Sequence, residues 1–181
     1  YLMGTFGDVE TNRILASIFY IQLAKYVAID DNYFNIRLAQ IFTEIQSYLL
    51  AENEYKKVTL ESSFFLKAQL AIADILVELD QQDQAIKKLD VLLQKGFRDF
   101  TVYDAIANIY RVKEEYDKAI EYYSSAIEMI PDKDMHKSWA TFFLRGIAYD
   151  RSGDWRQAKA DFDIALQLFP NHPEVLNYLG Y

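Results

Sequence analysis

Four small residues recur along this chain at one rhythm: Ala51, Ala85, Ala119 and Ala158, spaced by 34, 34 and 39 residues. Three further series keep the same phase. A second small residue runs Ala39, Ala73, Ala107, Gly146. A large residue three positions later runs Phe42, Leu76, Tyr110, Tyr149. A set of fillers runs Tyr55, Leu89, Tyr123, Phe162. One Ala-x3-Phe pair alone would mean little. Four series in one register restrict the chain to a repeated structural unit.

Inside a unit the spacing dictates helices. In residues 142–170, Phe142, Gly146 and Tyr149 share one face at helical period. Gly153 and Asp154 break that helix, and Ala158, Phe162 and Ala165 mark one face of a second, which Pro170 closes. Gly146 and Ala158 have almost no side chain, so two helix backbones can approach closely there. Only three prolines and six glycines interrupt 181 residues, which suits long helices better than the many turns of a β-sandwich.

The phasing predicts a partial repeat at 1–31 and repeats at 32–63, 64–99 and 100–133. A repeat with an insertion follows at 134–170, and a further helix starts at 171–181. Residues 1–7 read as the end of a helix, 8–11 as a polar cap and 12–28 as an amphipathic helix. Ser62 or Ser63 is placed to cap the helix that follows. Gly96 sits just past a helix end, where a left-handed residue is cheap. The template weakens at 64–99: Gln82 stands where Tyr116 and Trp155 stand later, and Phe97 replaces the closing proline. The longer last interval places extra residues near 132–138. The chain opens at Tyr1 without Met and ends inside a predicted helix, as a piece of a longer protein would.

The aromatic-x3-Gly-x2-Tyr, Ala-x3-Phe, Pro pattern of 142–170, with its earlier copies, resembles the tetratricopeptide repeat (TPR), a helix–turn–helix unit. The resemblance implies an all-α fold, a right-handed α-α superhelix (TPR solenoid) of antiparallel helix pairs. It also implies that first helices line a concave face where peptides lie. By position that face carries Arg37 and Gln40 (with Tyr33, Ile36 and Glu44), then Lys67 and Asp74 (with Leu70 and Glu78). It continues with Asp104, Asn108 and Arg111 beside Thr101, then Phe143 and Ile147 beside Asp150 and Arg151. Asn108 can offer a donor and an acceptor to a peptide backbone, and Arg37 and Arg111 can grip a carboxylate with two bonds. Phe143 and Ile147 can anchor a ligand side chain or a following helix. The Lys/Asn/Asn/Lys/Arg clamp by which some co-chaperones of the family hold acidic chaperone tails is not present at the matching positions. The segments RGIAYDRSGDW and NHPEVLNYLGY are similar to bacterial TPR proteins, particularly alphaproteobacterial ones. This similarity implies the periplasm or cell envelope, with the cytoplasm as the other compartment.

Chemistry of other kinds finds little support. A net charge of −8 repels a phosphate backbone, and Lys56-Lys57 and Lys87-Lys88 are isolated pairs, so no nucleic-acid partner is expected. The absence of cysteine removes disulfides, thiolate metal sites and a thiol nucleophile. Apolar runs such as 14–20 are too short to span a bilayer, so no membrane insertion is expected. There is no phosphate loop, zincin motif or nucleophile elbow. His136 and His172 read as exposed loop residues rather than metal ligands. Glu114-Glu115, Asp30-Asp31 and Asp161/Asp163 read as solvated charge. The tyrosines fall at template positions and read as packing. The chain is thus expected to be no enzyme and to need no metal or cofactor. It reads as a scaffold that binds a partner protein or extended peptide on the first-helix face. The alternatives are a self-assembly module docking through its end helices and an accessory repeat domain of a larger bacterial envelope protein.

Overall fold

The computed structural model describes residues 9–27, 31–131, 135–136 and 138–179. The readings of 1–7 as a helix end and of 30–31 as a carboxylate pair lie wholly or partly outside those residues, as does most of the insertion. The described residues form helices and turns, and the chain divides into two compact units, Tyr1–Leu79 and Asp80–Tyr181.

The first unit holds α1 (Val9–Val27), α2 (Asp31–Glu44), α3 (Tyr48–Lys56) and α4 (Phe65–Glu78). Each packs on the next. Ala39 and Ala51 are fully buried where α2 and α3 meet, and Ile36, Leu38, Phe42, Tyr55 and Ile72 complete the core. Neither Ser62 nor Ser63 is the N-cap of α4; that place falls to Phe64, whose N–H donates to Ser62 Oγ at 3.1 Å.

The second unit holds α5 (Gln82–Gln94), α6 (Phe100–Val112), α7 (Tyr116–Met129), α8 (Trp139–Ser152), α9 (Trp155–Leu168) and α10 (Pro173–Leu179). The hairpins α6–α7 and α8–α9 are its most intimate pairs. Ala107 meets Ala119 and Tyr123, while Phe142, Phe143, Ala158, Phe162, Ala165 and Val175 form the core beside them. Asp99 and Asp154 cap α6 and α9, accepting from the N–H groups of Thr101 at 2.9 Å and Gln157 at 3.1 Å.

The turn inside each hairpin is built alike. The residue past the first helix is left-handed: Gln46 (φ 57°), Glu114 (φ 61°) and Gly153 (φ 92°), with Asp80 (φ 62°) holding the same phase. At 46, 114 and 153 the next N–H reaches back across the turn, as Ser47 to Phe42 at 2.8 Å, Glu115 to Tyr110 at 2.9 Å and Asp154 to Tyr149 at 2.9 Å. Only one of these positions is glycine. The others accept a backbone cost of about 1–2 kcal/mol, offset because the closed turn brings the small residues together.

Two expectations are corrected here. Asp161 is not solvated: it is 4% exposed. Its carboxylate accepts Arg145 Nε at 2.7 Å and Nη2 at 2.8 Å, while Arg145 Nη1 donates to Ser124 Oγ at 3.0 Å. The guanidinium also lies 5.6 Å from the Phe142 ring centre. The reason is position: Arg145 occupies a core-facing place on α8 and requires an anion there. His172 is not a fully exposed loop residue either; it is half-buried, with its ring 4.0 Å from that of Trp139 and 5.1 Å from that of Phe169.

Breaking the buried pair with Asp161→Asn should cost about 3–5 kcal/mol, because it strands a charge. Replacing both partners by leucine should recover most of that loss, as urea midpoints would show. Gly146→Ala should destabilise by about 1–3 kcal/mol, although alanine is the better helix former. The added Cβ would lie 2.6 Å from Phe162 Cε1 and 3.2 Å from the Ala158 carbonyl oxygen. A thermal midpoint equal to or above that of the native chain would overturn this packing account.

Candidate functional site

In the first unit, Arg37 and Gln40 stand side by side on α2, Arg37 Nη1 donating to Gln40 Oε1 at 3.1 Å. With Glu44 they form one wall of a cleft of about 480 Å³ whose other wall is Arg13, Ser17 and Tyr20 of α1. Ile36, expected on the same surface, is instead buried in the core because it faces α3 and α4. Lys67 and Asp74 are exposed on α4. Local loss of solvent first, and the neighbouring charge of Glu78 second, push the Asp74 carboxyl above its ordinary value.

In the second unit, the α6 residues belong to one hydrogen-bonded chain. Thr141 Oγ1 donates to Asp104 Oδ1 at 2.8 Å. Asn108 Nδ2 donates to Asp104 Oδ2 at 3.1 Å and to the Asp104 carbonyl at 3.0 Å. Tyr123 OH donates to Asn108 Oδ1 at 2.8 Å, and Arg111 Nε donates to Tyr123 OH at 3.2 Å. Three helices, α6, α7 and α8, are tied through it. Asn108 therefore uses both amide hydrogens internally and keeps one acceptor lone pair for anything else. Arg111 uses only Nε, so both of its terminal nitrogens remain.

Burial raises the Tyr123 hydroxyl pKa well above the usual phenol value, against the opposing charge of Arg111. Burial likewise raises the Asp104 pKa, against hydrogen bonds from Thr141 and Asn108 and the charge of Arg111. Tyr123 and Thr141 were not foreseen as polar partners. Tyrosine rather than phenylalanine at a fully buried filler position was the available signal, because a buried phenol hydroxyl needs a partner.

On α8 the two apolar candidates differ. Phe143 is 7% exposed, with its ring 5.8 Å from Phe162 and edge-on to Tyr178 of α10 at 6.0 Å. Tyr178 OH also donates to Asp150 Oδ2 at 3.1 Å. Ile147 is only half-buried and lines a cleft of about 360 Å³ with Arg111, Val112, Glu114, Tyr116 and Arg151. The structure thus gathers Asp104, Asn108 and Arg111 into one network, sets Ile147 beside Arg111, and gives Phe143 to the packing of α10. Among the described residues no cluster of three or more His, Asp or Glu could hold a metal ion. No described helix is long and apolar enough to cross a membrane.

This is an all-helical repeat protein with a polar, partly cationic surface on its first helices. Residues 100–133 and 139–172 each match a family model described as tetratricopeptide repeat, so the hairpins α6–α7 and α8–α9 are tetratricopeptide repeats. A crystal structure of MamA shares the fold with a TM-score of 0.65 and 18% identity, covering 90% of this chain and 95% of that one. TTC0263, a TPR protein of Thermus thermophilus, gives 0.70 at 16% identity over 93% of this chain and 90% of its own. YrrB, whose structure is described as a TPR protein with an unusual peptide-binding site, gives 0.64 at 14% identity, covering 95% of this chain and 86% of its own. Among curated proteins the chain is similar to the general transcriptional corepressor ssn6 of Schizosaccharomyces pombe, 27% identical over 139 residues. That match takes in 77% of this chain and 12% of the corepressor's length.

The raised Asp104 pKa has a consequence for stability. Between the ordinary aspartate value and the raised one, the folded chain holds a proton that the unfolded chain has lost. The Asp104 contribution is therefore full below that window and is lost as pH rises through it. The stability of the native chain minus that of Asp104→Asn should fall as pH rises above about 4, measured by urea unfolding. A difference independent of pH would remove the assignment.

Proposed function

We propose that this chain is a non-catalytic scaffold that holds a partner protein or an extended peptide on its first-helix faces. The observation that carries the reading is the α6 network. Hydrogen bonds from two neighbouring helices fix Asp104, Asn108 and Arg111 on a first-helix surface, and Arg111 keeps its two outward nitrogens uncommitted. Such fixed polar groups reduce the ordering cost of binding. The Arg37–Gln40 wall in the first unit has the same composition, a guanidinium beside an amide. The peptide-binding site noted for YrrB and the two repeat-family matches support the same role.

A second reading, self-association, draws on α1. Leu15, Phe19 and Leu23 are exposed at four-residue spacing and form an apolar stripe.

Charge-reversal variants test the first reading and light scattering tests the second. Charge reversal on first helices (Arg37→Glu with Lys67→Glu, or Arg111→Glu with Arg151→Glu) should reduce partner capture at least tenfold. Reversal on second helices (Lys87→Glu with Arg156→Glu) should leave it unchanged. Equal loss in both sets would overturn the first-helix assignment. A light-scattering mass that stays monomeric on concentration would remove the second reading.

A further inference from the structure

We propose that the cleft between Arg111 and Arg151 receives the side-chain carboxylate of one aspartate or glutamate within an extended partner segment, next to an apolar residue. This deepens, and rests on, the first-helix reading above.

The cleft is made by six residues. Arg111 and Val112 come from the last turn of α6, Glu114 and Tyr116 from the turn into α7, and Ile147 and Arg151 from α8. Its volume of about 360 Å³ is enough for one or two side chains. Neither guanidinium makes a salt bridge with a carboxylate among the described residues. Arg145, on the same helix as Arg151, is engaged by Asp161 and Ser124. The chain as a whole carries a net charge of −8, yet this cleft sets two arginines against one carboxylate, Glu114.

The two arginines are prepared differently. Arg111 is anchored through Nε to the hydroxyl of Tyr123, a side chain with no exposed surface. That bond fixes the plane of the guanidinium and leaves the Nη1 and Nη2 edge for a planar, two-oxygen acceptor. Arg151 is exposed in the last turn of α8, near Tyr178 of α10, and can close over a bound anion.

The rest of the lining narrows the ligand. Ile147 and Val112 offer an apolar wall, which suits an aliphatic residue adjacent to the acid. Glu114 places one negative charge at the rim, which disfavours a run of acids and leaves room for one. The cleft is open to solvent rather than enclosed, so a chain can continue past it in both directions. That geometry fits a side-chain carboxylate within a segment rather than a chain terminus.

The test uses the whole chain and short peptides blocked by N-acetylation and C-amidation, with a central Glu-Leu or Gln-Leu pair. Binding is read by fluorescence anisotropy at low salt. The native chain should prefer Glu over Gln by about tenfold or more. That preference should vanish in Arg111→Gln/Arg151→Gln and survive in Arg156→Gln. Arg151→Gln alone, at an exposed position that cannot disturb the Tyr123 network, should weaken the preference several-fold. No preference in the native chain, or one that survives both arginine substitutions, would overturn the proposal. So would a preference seen only for peptides with a free C-terminal carboxylate. Peptides held without acid preference, and released by Arg37→Glu with Lys67→Glu, would leave the first-helix reading standing while removing this one. If no peptide is held at all, both fall.

Discussion

The close approach of paired helices governs the rest of this molecule. At Gly146 the neighbouring helix comes so near that even a methyl group would strike the Phe162 ring and the Ala158 carbonyl. Ala39, Ala51, Ala107, Ala119 and Ala158 are all fully buried at equivalent places. Dispersion and apolar burial both grow as backbones approach, but only where side chains are absent. The large residues must then fill the space on either side, which is why Phe42, Tyr55, Tyr123 and Phe162 keep the same phase as the alanines. The left-handed turn residues follow from the same contact. A tight, closed turn is needed to return the chain at that distance, and Gln46 and Glu114 take the conformation despite carrying a Cβ.

Once the hairpins are fixed, polar groups inside them have little freedom. Tyr123 fills the place that Phe162 fills in the next repeat, and its hydroxyl arrives beneath the first-helix surface. There it meets Asn108 and Arg111, and through Asn108 it reaches Asp104 and Thr141. Arg145 makes the opposite use of burial. It turns inward, and Asp161 and Ser124 satisfy three of its donors. Neighbouring repeats of the same architecture thus place one arginine at the surface and another in the interior. The difference lies in register: Arg111 faces outward on α6, whereas Arg145 follows Leu38, Ile72 and Ile106 in a core-facing series.

That series shows what was legible and what was not. Helix positions, turns and the alanine contacts could all be read from spacing, because packing repeats whenever the phase does. Ion pairing does not repeat. The partner of Arg145 lies sixteen residues away on another helix, and its counterparts at the same phase are Glu54, Lys88 and Tyr122. An arginine in a series otherwise aliphatic was a sign that an anion must be near, and it could have corrected the reading of Asp161 as solvated. The candidate binding residues were legible as a face but not as a site. Period alone could place Arg111 and Asn108 on the first-helix surface. It could not show that Asn108 has already spent its donors, nor that Phe143 lies under Tyr178.

The outward-facing residues are free of the packing constraint, so the repeat does not determine their identity. Their chemistry must come from which neighbours they lack as much as from which they have. In the third and fourth repeats the interior supplies that distinction. The hydrogen bond that holds Arg111 comes from below, through Tyr123, while the edge facing solvent meets no carboxylate among the described residues. A guanidinium held from the interior without a salt bridge at its surface gains little stability from its charge. The arrangement is an effective way to present a guanidinium at a fixed angle. The cost of ordering Arg111 has already been met in folding, and that is the physical ground on which the proposed carboxylate site rests.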